Sequence, residues 1–219
     1  MFTDAVAFLV DLKEHNEKAW FEAHRDRYDA AIKEPAQRFV EGIAPRLRAI
    51  SPHFTAIATG RGSSISRMNR DTRFSADKAP YKDWVGFHFS HESGKEAPGF
   101  YLHLAPHDCG VGVGVWMLEP PKLKQVREAV AEPASGWGTV RAGLDRDGFG
   151  FLGESLVRVP RPWPADHPHA EDLRRKTFAA GRPIDPALPE ERLLEVVEAG
   201  FRAGLPLVRF LCAALDLPC

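Results

Sequence analysis

Between Arg61 and Lys82 the chain reads RGSSISRMNRDTRFSADKAPYK, in which Arg61, Arg67, Arg70, Arg73, Lys78 and Lys82 face only Asp71 and Asp77, a local surplus of four positive charges. Arginine offers a rigid planar fork that matches phosphate or carboxylate in bidentate fashion, and lysine adds a compact point charge. Arg67, Arg70, Arg73, Lys78 and Lys82, with the phenol of Tyr81 as a further donor, form a candidate binding set for a small phosphorylated or otherwise anionic ligand. Asp71 is the candidate catalytic residue. The arginines on either side favour its charged form, which suits it to orient a guanidinium or to hold a metal with a substrate phosphate, and makes it a weak general base. For an enzyme built on this loop, hydrolysis or transfer at phosphorus is the class such charge stabilisation serves.

The same residues support two other readings. Arg and Asp alternating in a loop can close an internal salt-bridge network that pins the loop to the body of the protein, with Phe74 and Tyr81 anchored in the core. Alternatively the loop belongs to a non-enzymatic module that contacts a protein partner or a nucleic-acid backbone, with Trp84 or Trp116 stacking on bases. The whole chain carries 29 basic and 30 acidic residues. It therefore has no global field toward nucleic acid or an anionic membrane, and nucleic acid is the less favoured partner. Neither a cofactor nor an oligomeric state follows from the sequence.

No metal centre is expected: HExxH is missing, and the one tight histidine pair, His167 and His169, sits in a proline-rich surface stretch. His88 and His103 fall in predicted strands, where a hydrogen-bonded histidine is the ordinary outcome. Glu22 and Asp26 share a helix face but lie among Arg25 and Arg27, which marks an exposed charged surface. The glycines at 60–62 lack the lysine and spacing of a phosphate-binding loop, and Cys109 sits in a turn beside His107 and Asp108, where neighbouring side chains seldom meet.

The elements that position the loop follow from periodicity. Ala5, Phe8, Leu9 and Leu12 predict one helix; Trp20, Phe21, Tyr28 and Ile32 predict a second, capped by Asn16 and ended by Pro35; Phe39, Ile43, Leu47 and Ile50 predict a third, kinked or split at Pro45. From about residue 54 the pattern turns to short β runs: HFTAIATG, SSISR, WVGFHF, GFYLHLA and GVGVGVW. The last two flank PHDCG and should form an antiparallel hairpin with Val111, Val113 and Val115 facing the core. Tyr101, His103, Trp116 and the strand glycines would line the other face, where a packed helix is the expected cover, although strand glycine also marks close approach of a ligand. A helix opened by Pro120, an amphipathic piece near Trp137, an extended connector over 158–168 and two C-terminal helices starting at Pro189 and Pro206 complete the reading. With 219 residues, 44% of them apolar, this is one α+β domain with N-terminal helices, a central mainly antiparallel sheet of five or six strands, and C-terminal helices. Three scattered cysteines and an N-terminus rich in acids predict a soluble cytoplasmic protein.

The run from Arg67 to Lys82, R-x-x-R-D-x-R-F followed by D-K-x-P-Y-K, resembles the signature of the bacterial family catalogued as domain of unknown function 2461. The resemblance extends over almost the full chain, through Phe8-Leu9, Asn16, Trp20-Phe21, the Tyr28-to-Pro35 region, Tyr101, Gly112-to-Trp116, Leu123-to-Arg127 and VPRPWPADHP. Family members often carry an asparagine where His15 stands and a glycine at Pro162. The resemblance implies no activity, because the family is defined by sequence alone.

Overall fold

Alternation of apolar residues between 85 and 115 closes into three strands, β1 (Val85–Ser90), β2 (Gly99–Leu104) and β3 (Cys109–Val115). The computed structural model describes residues 1–219 and pairs these strands antiparallel, with Phe87 opposite Leu102 and Leu102 opposite Val111. Two more strands, β4 (Gly150–Phe151) and β5 (Phe178–Pro183), extend the sheet to the order β1-β2-β3-β5-β4. The register puts Phe87, Phe89, Phe100, Leu102, Val111 and Val113 on one face, all buried in a single cluster of 44 residues.

The helices gather on that face. They are α1 (Thr3–Glu14), α2 (Lys18–Ala23), α3 (Arg25–Tyr28), α4 (Glu34–Ile50), α5 (Pro120–Ala131), α6 (Trp137–Arg146), α7 (Ala170–Leu173) and α8 (Glu190–Ala214). Phe2 and Phe39 pack on Phe87 at 5.7 and 5.3 Å, and Phe201 of α8 on Phe100 at 4.9 Å. Close approach of α8 to β3 needs glycine at two positions: a Cβ at Gly200 would lie 2.7 Å from Val111, and one at Gly204 2.6 Å from Val113. No helix is long and apolar enough to cross a membrane.

Several local expectations are corrected. Pro35 does not end a helix; it sits in the first turn of α4, joined to α3 by a π-turn over Asp29–Lys33. The wider turn relieves the clash a proline ring makes with the carbonyl four residues back. Pro45 leaves α4 continuous, and Pro206 lies inside α8 rather than opening a separate helix. There the packing of fully buried Leu207, Val208 and Leu211 outweighs the missing backbone bond. HFTAIATG and SSISR form single bridges, Phe54 to His91 and Ile65 to Phe87, rather than strands. Along the second run Gly86 donates its N–H to the Ser66 hydroxyl, so a side chain replaces a rung of the ladder. No helix covers the Tyr101 face: Tyr101 and His103 are half-buried, and His88 is exposed.

Candidate functional site

The basic loop leaves the edge of β1 from a short ladder. Lys82 N–H donates to Met68 O at 2.8 Å and Arg70 N–H to Pro80 O at 2.9 Å, with Asn69 opposite Tyr81. Two long-range anchors hold it. The Tyr81 ring stacks on Phe21 with centroids 4.1 Å apart. Asn16 bonds both backbone groups of Tyr81, donating from Nδ2 to its carbonyl and accepting its N–H at Oδ1, each at 3.0 Å. Asn16 therefore does not cap α2, which has no side-chain cap. Its amide closes the junction between the first two helices and the loop.

Beyond the ladder the loop ties up its own charges. Arg73 grips Asp71 in bidentate fashion at 2.9 and 2.7 Å, and Arg70 reaches Asp77 at 2.5 Å. Lys78 donates to Thr72 O at 2.9 Å. The Arg73 guanidinium first, and its backbone N–H second, hold the Asp71 carboxyl below the usual carboxylate range. The Ala79 N–H and then Arg70 do the same for Asp77. Both carboxylates are thus ionised and poorly basic. Phe74 is not anchored in the core; it stands 95% exposed at the tip, with Arg73 5.8 Å over its ring.

Beneath the loop lies a cleft of about 480 Å³, within the size range of small-molecule sites, lined among others by Lys13, Asn16, Arg70, Tyr81, Lys82 and Trp84. Of the predicted set it gathers Arg70, Tyr81 and Lys82. Asp71, Arg73 and Lys78 are exposed and lie outside its lining, as does Arg67. Arg70 enters the cleft with Asp77 as its partner, and Lys13 comes within 3.8 Å of Asp83. Lys82 differs: it rests 4.6 Å over the Trp84 ring and pairs with no carboxylate. Burial first, and then the charge of Arg67, pull its pKa down. Arg67 likewise makes no ion pair, although its charge also reaches Asp71 and helps to hold that carboxyl below its usual range.

Sequence reading missed Asn16 and Lys13 as members of this site. An asparagine ahead of a helix gives the same local signal whether it caps that helix or reaches a strand 65 residues away. Trp116, considered for stacking, is 58% exposed and does not line the cleft.

This α+β scaffold with a projecting basic loop matches a described family. Residues 4–210 fit the family described as "Conserved hypothetical protein (DUF2461)", and the chain belongs to it. No curated protein and no solved structure matches the chain.

Proposed function

We propose that the protein binds a small phosphorylated or otherwise anionic ligand in the cleft under the basic loop, with Arg67, Arg70 and Lys82 supplying positive charge. One observation carries this reading: Lys82 stands at the wall of a ligand-sized cleft, over the Trp84 ring and with no carboxylate partner, where burial and then the charge of Arg67 both disfavour its ammonium. A disfavoured charge raises the energy of the empty site, and a bound anion removes that penalty. Arg70 can exchange Asp77, a surface partner of small net worth, for a phosphate oxygen. Tyr81 shapes the wall, and Asp71 serves to hold Arg73 on the loop. For a reaction at this site, hydrolysis or transfer at phosphorus remains the fitting class, with Arg73 and Lys78 brought inward by the loop.

A second reading takes support from the loop tip, where Arg73 with Asp71 and Arg70 with Asp77 form the internal network of a structural brace. Thermal unfolding against phosphorylated metabolites separates the two. A ligand at a hundred times its Kd adds about 2.7 kcal/mol, or roughly 5 to 10 °C here. We expect such a shift with at least one phosphate compound and its loss in Lys82→Met and Arg67→Gln. A flat panel, or a shift that survives both substitutions, would reject the anion site.

A further inference from the structure

The uncovered face of the sheet continues from the cationic end of the cleft as an unbroken row of rings. Lys82 lies over Trp84; Trp84 meets His103 at 5.4 Å between centroids, with the rings 40° apart. His103 meets Tyr101 at 5.9 Å and 33°, with the Tyr101 hydroxyl 3.2 Å from His103 Nδ1. Tyr101 meets His88 at 4.6 Å.

Glycine lets this row lie close against the sheet. A Cβ at Gly86 would fall 2.4 Å from the Tyr101 hydroxyl, 2.9 Å from its ring and 3.0 Å from Trp84, so both aromatic side chains rest on the backbone of β1 where any other residue would lift them. Gly110 and Gly112, opposite His103 and Tyr101 on β3, extend the floor without a side chain of their own. Lys82 covers the Trp84 ring, whereas His103 and Tyr101 are half-exposed beyond it, a surface on which a planar base can stack.

Charge is absent from the row at neutral pH. Burial, followed by Lys82 and His103, holds His88 below its ordinary value even though part of its ring meets solvent. Burial also outweighs Asp108 and Asp83 in lowering His103. Burial pushes the Tyr101 phenol up to about 12, so it stays a donor. A neutral, hydrogen-bonding aromatic surface thus abuts Lys82, a cation with no carboxylate partner.

We infer that the anion taken by the cleft is the phosphate of a free mononucleotide, whose base lies on His103 and Tyr101 beyond the Lys82-covered Trp84 ring. This inference rests on the proposed anion site. Lys82 and Arg70, the cations of the loop that line the cleft, match one phosphate group, whereas a nucleic-acid strand needs a groove of cations along several phosphates.

The test is calorimetric titration of the full chain with inorganic phosphate, ribose 5-phosphate, adenosine and cytidine 5′-monophosphates, and a short oligothymidylate. A stacked base should make at least one mononucleotide bind on the order of tenfold more tightly than ribose 5-phosphate. Tyr101→Leu should remove that factor and leave ribose 5-phosphate binding unchanged; Lys82→Met should weaken both. Equal binding of ribose 5-phosphate and both mononucleotides by the unaltered protein, which needs no variant, would overturn the base site and leave the anion site standing. Oligothymidylate binding more tightly than either mononucleotide would also overturn the inference, in favour of a strand. No binding of any phosphate compound would remove both.

Discussion

Replacing Asn16 by alanine tests how the loop is held. The Asn16 amide makes two hydrogen bonds of 3.0 Å to the N–H and C=O of Tyr81, in a half-buried position that also borders the cleft. Each bond contributes about 0.5–1.5 kcal/mol net, and each backbone group left unsatisfied adds to the loss, so the variant should be destabilised by about 2 kcal/mol. For a chain of 219 residues that is roughly 4 to 8 °C in Tm. Asn16→Asp separates the two bonds: its carboxylate can still accept the Tyr81 N–H but cannot donate to the carbonyl, so it should fall between the parent and the alanine variant. Circular dichroism melting gives the stability, and amide exchange at Tyr81 and Lys82 gives the locality, since the Lys82 N–H belongs to the same ladder. If Asn16→Ala melts within a degree of the parent and exchange at Tyr81 is unchanged, the clamp holds nothing and the loop is carried by the Tyr81 and Phe21 stack alone.

Four further outcomes follow from the geometry. Gly204→Ala gains up to about 1 kcal/mol in helix propensity but drives a Cβ to 2.6 Å from the stiff Val113 methyls, an overpacking worth about 1–3 kcal/mol, so urea unfolding should show a net loss; a gain would contradict the packing. Asp172, 4% exposed, accepts from Trp137 Nε1 at 2.8 Å and from Arg141 and Arg175 at 2.9 Å each. Asp172→Ala leaves the Arg175 guanidinium and the buried Trp137 N–H without their acceptor, while Arg141 keeps Asp145, and should cost about 3–5 kcal/mol in the same assay, where under 1 would reject the assignment. Sulfate, whose charge is constant over the alkaline range, should bind less tightly as pH rises through a Lys82 pKa held below its ordinary 10.5, because the ammonium is lost; affinity unchanged past pH 10.5 would place Lys82 outside the site. Arg67→Gln should leave Tm within about 2 °C of the parent at any salt concentration, since relief of Lys82 is offset by the loss of a charge that favours the Asp71 carboxylate; a larger loss at every salt concentration would show Arg67 to be a structural residue.

The parts of the fold legible in the sequence are those set by short-range periodicity. The valine face of β3, its pairing with β2, and the buried stripe of Phe39, Ile43 and Leu47 in α4 all lie where alternation or helical spacing put them. Strand β5 escaped because FAAGRP, enclosed between β3 and β4, does not alternate and two of its residues are alanine. The prolines misled for a different reason. A π-turn before Pro35 and the buried residues after Pro206 supply what local rules count as missing. The loop was visible as a charge cluster, but which arginine takes which aspartate depends on how the chain turns between 70 and 79. The residues of the second sheet face were legible from alternation, but that no helix covers it was not, since that depends on every helix choosing the same side.

The charge arrangement of the loop argues for a division of labour between its tip and its base. Every ionic contact at the tip joins residues no more than seven positions apart, Arg70 to Asp77 and Arg73 to Asp71, so the tip can keep its shape without help from the core. The base is held by partners from elsewhere in the fold, Asn16 and Phe21. The two cations without partners, Arg67 and Lys82, belong to that anchored end. A loop selected only as a brace would gain stability from an acid at either position, because like charges in proximity oppose folding. Keeping Lys82 half-buried, unpaired and at the wall of a cleft costs the empty protein stability that a bound anion would return. Rigid placement of that kind is what lowers the cost of binding, since fewer side chains must be ordered when the ligand arrives.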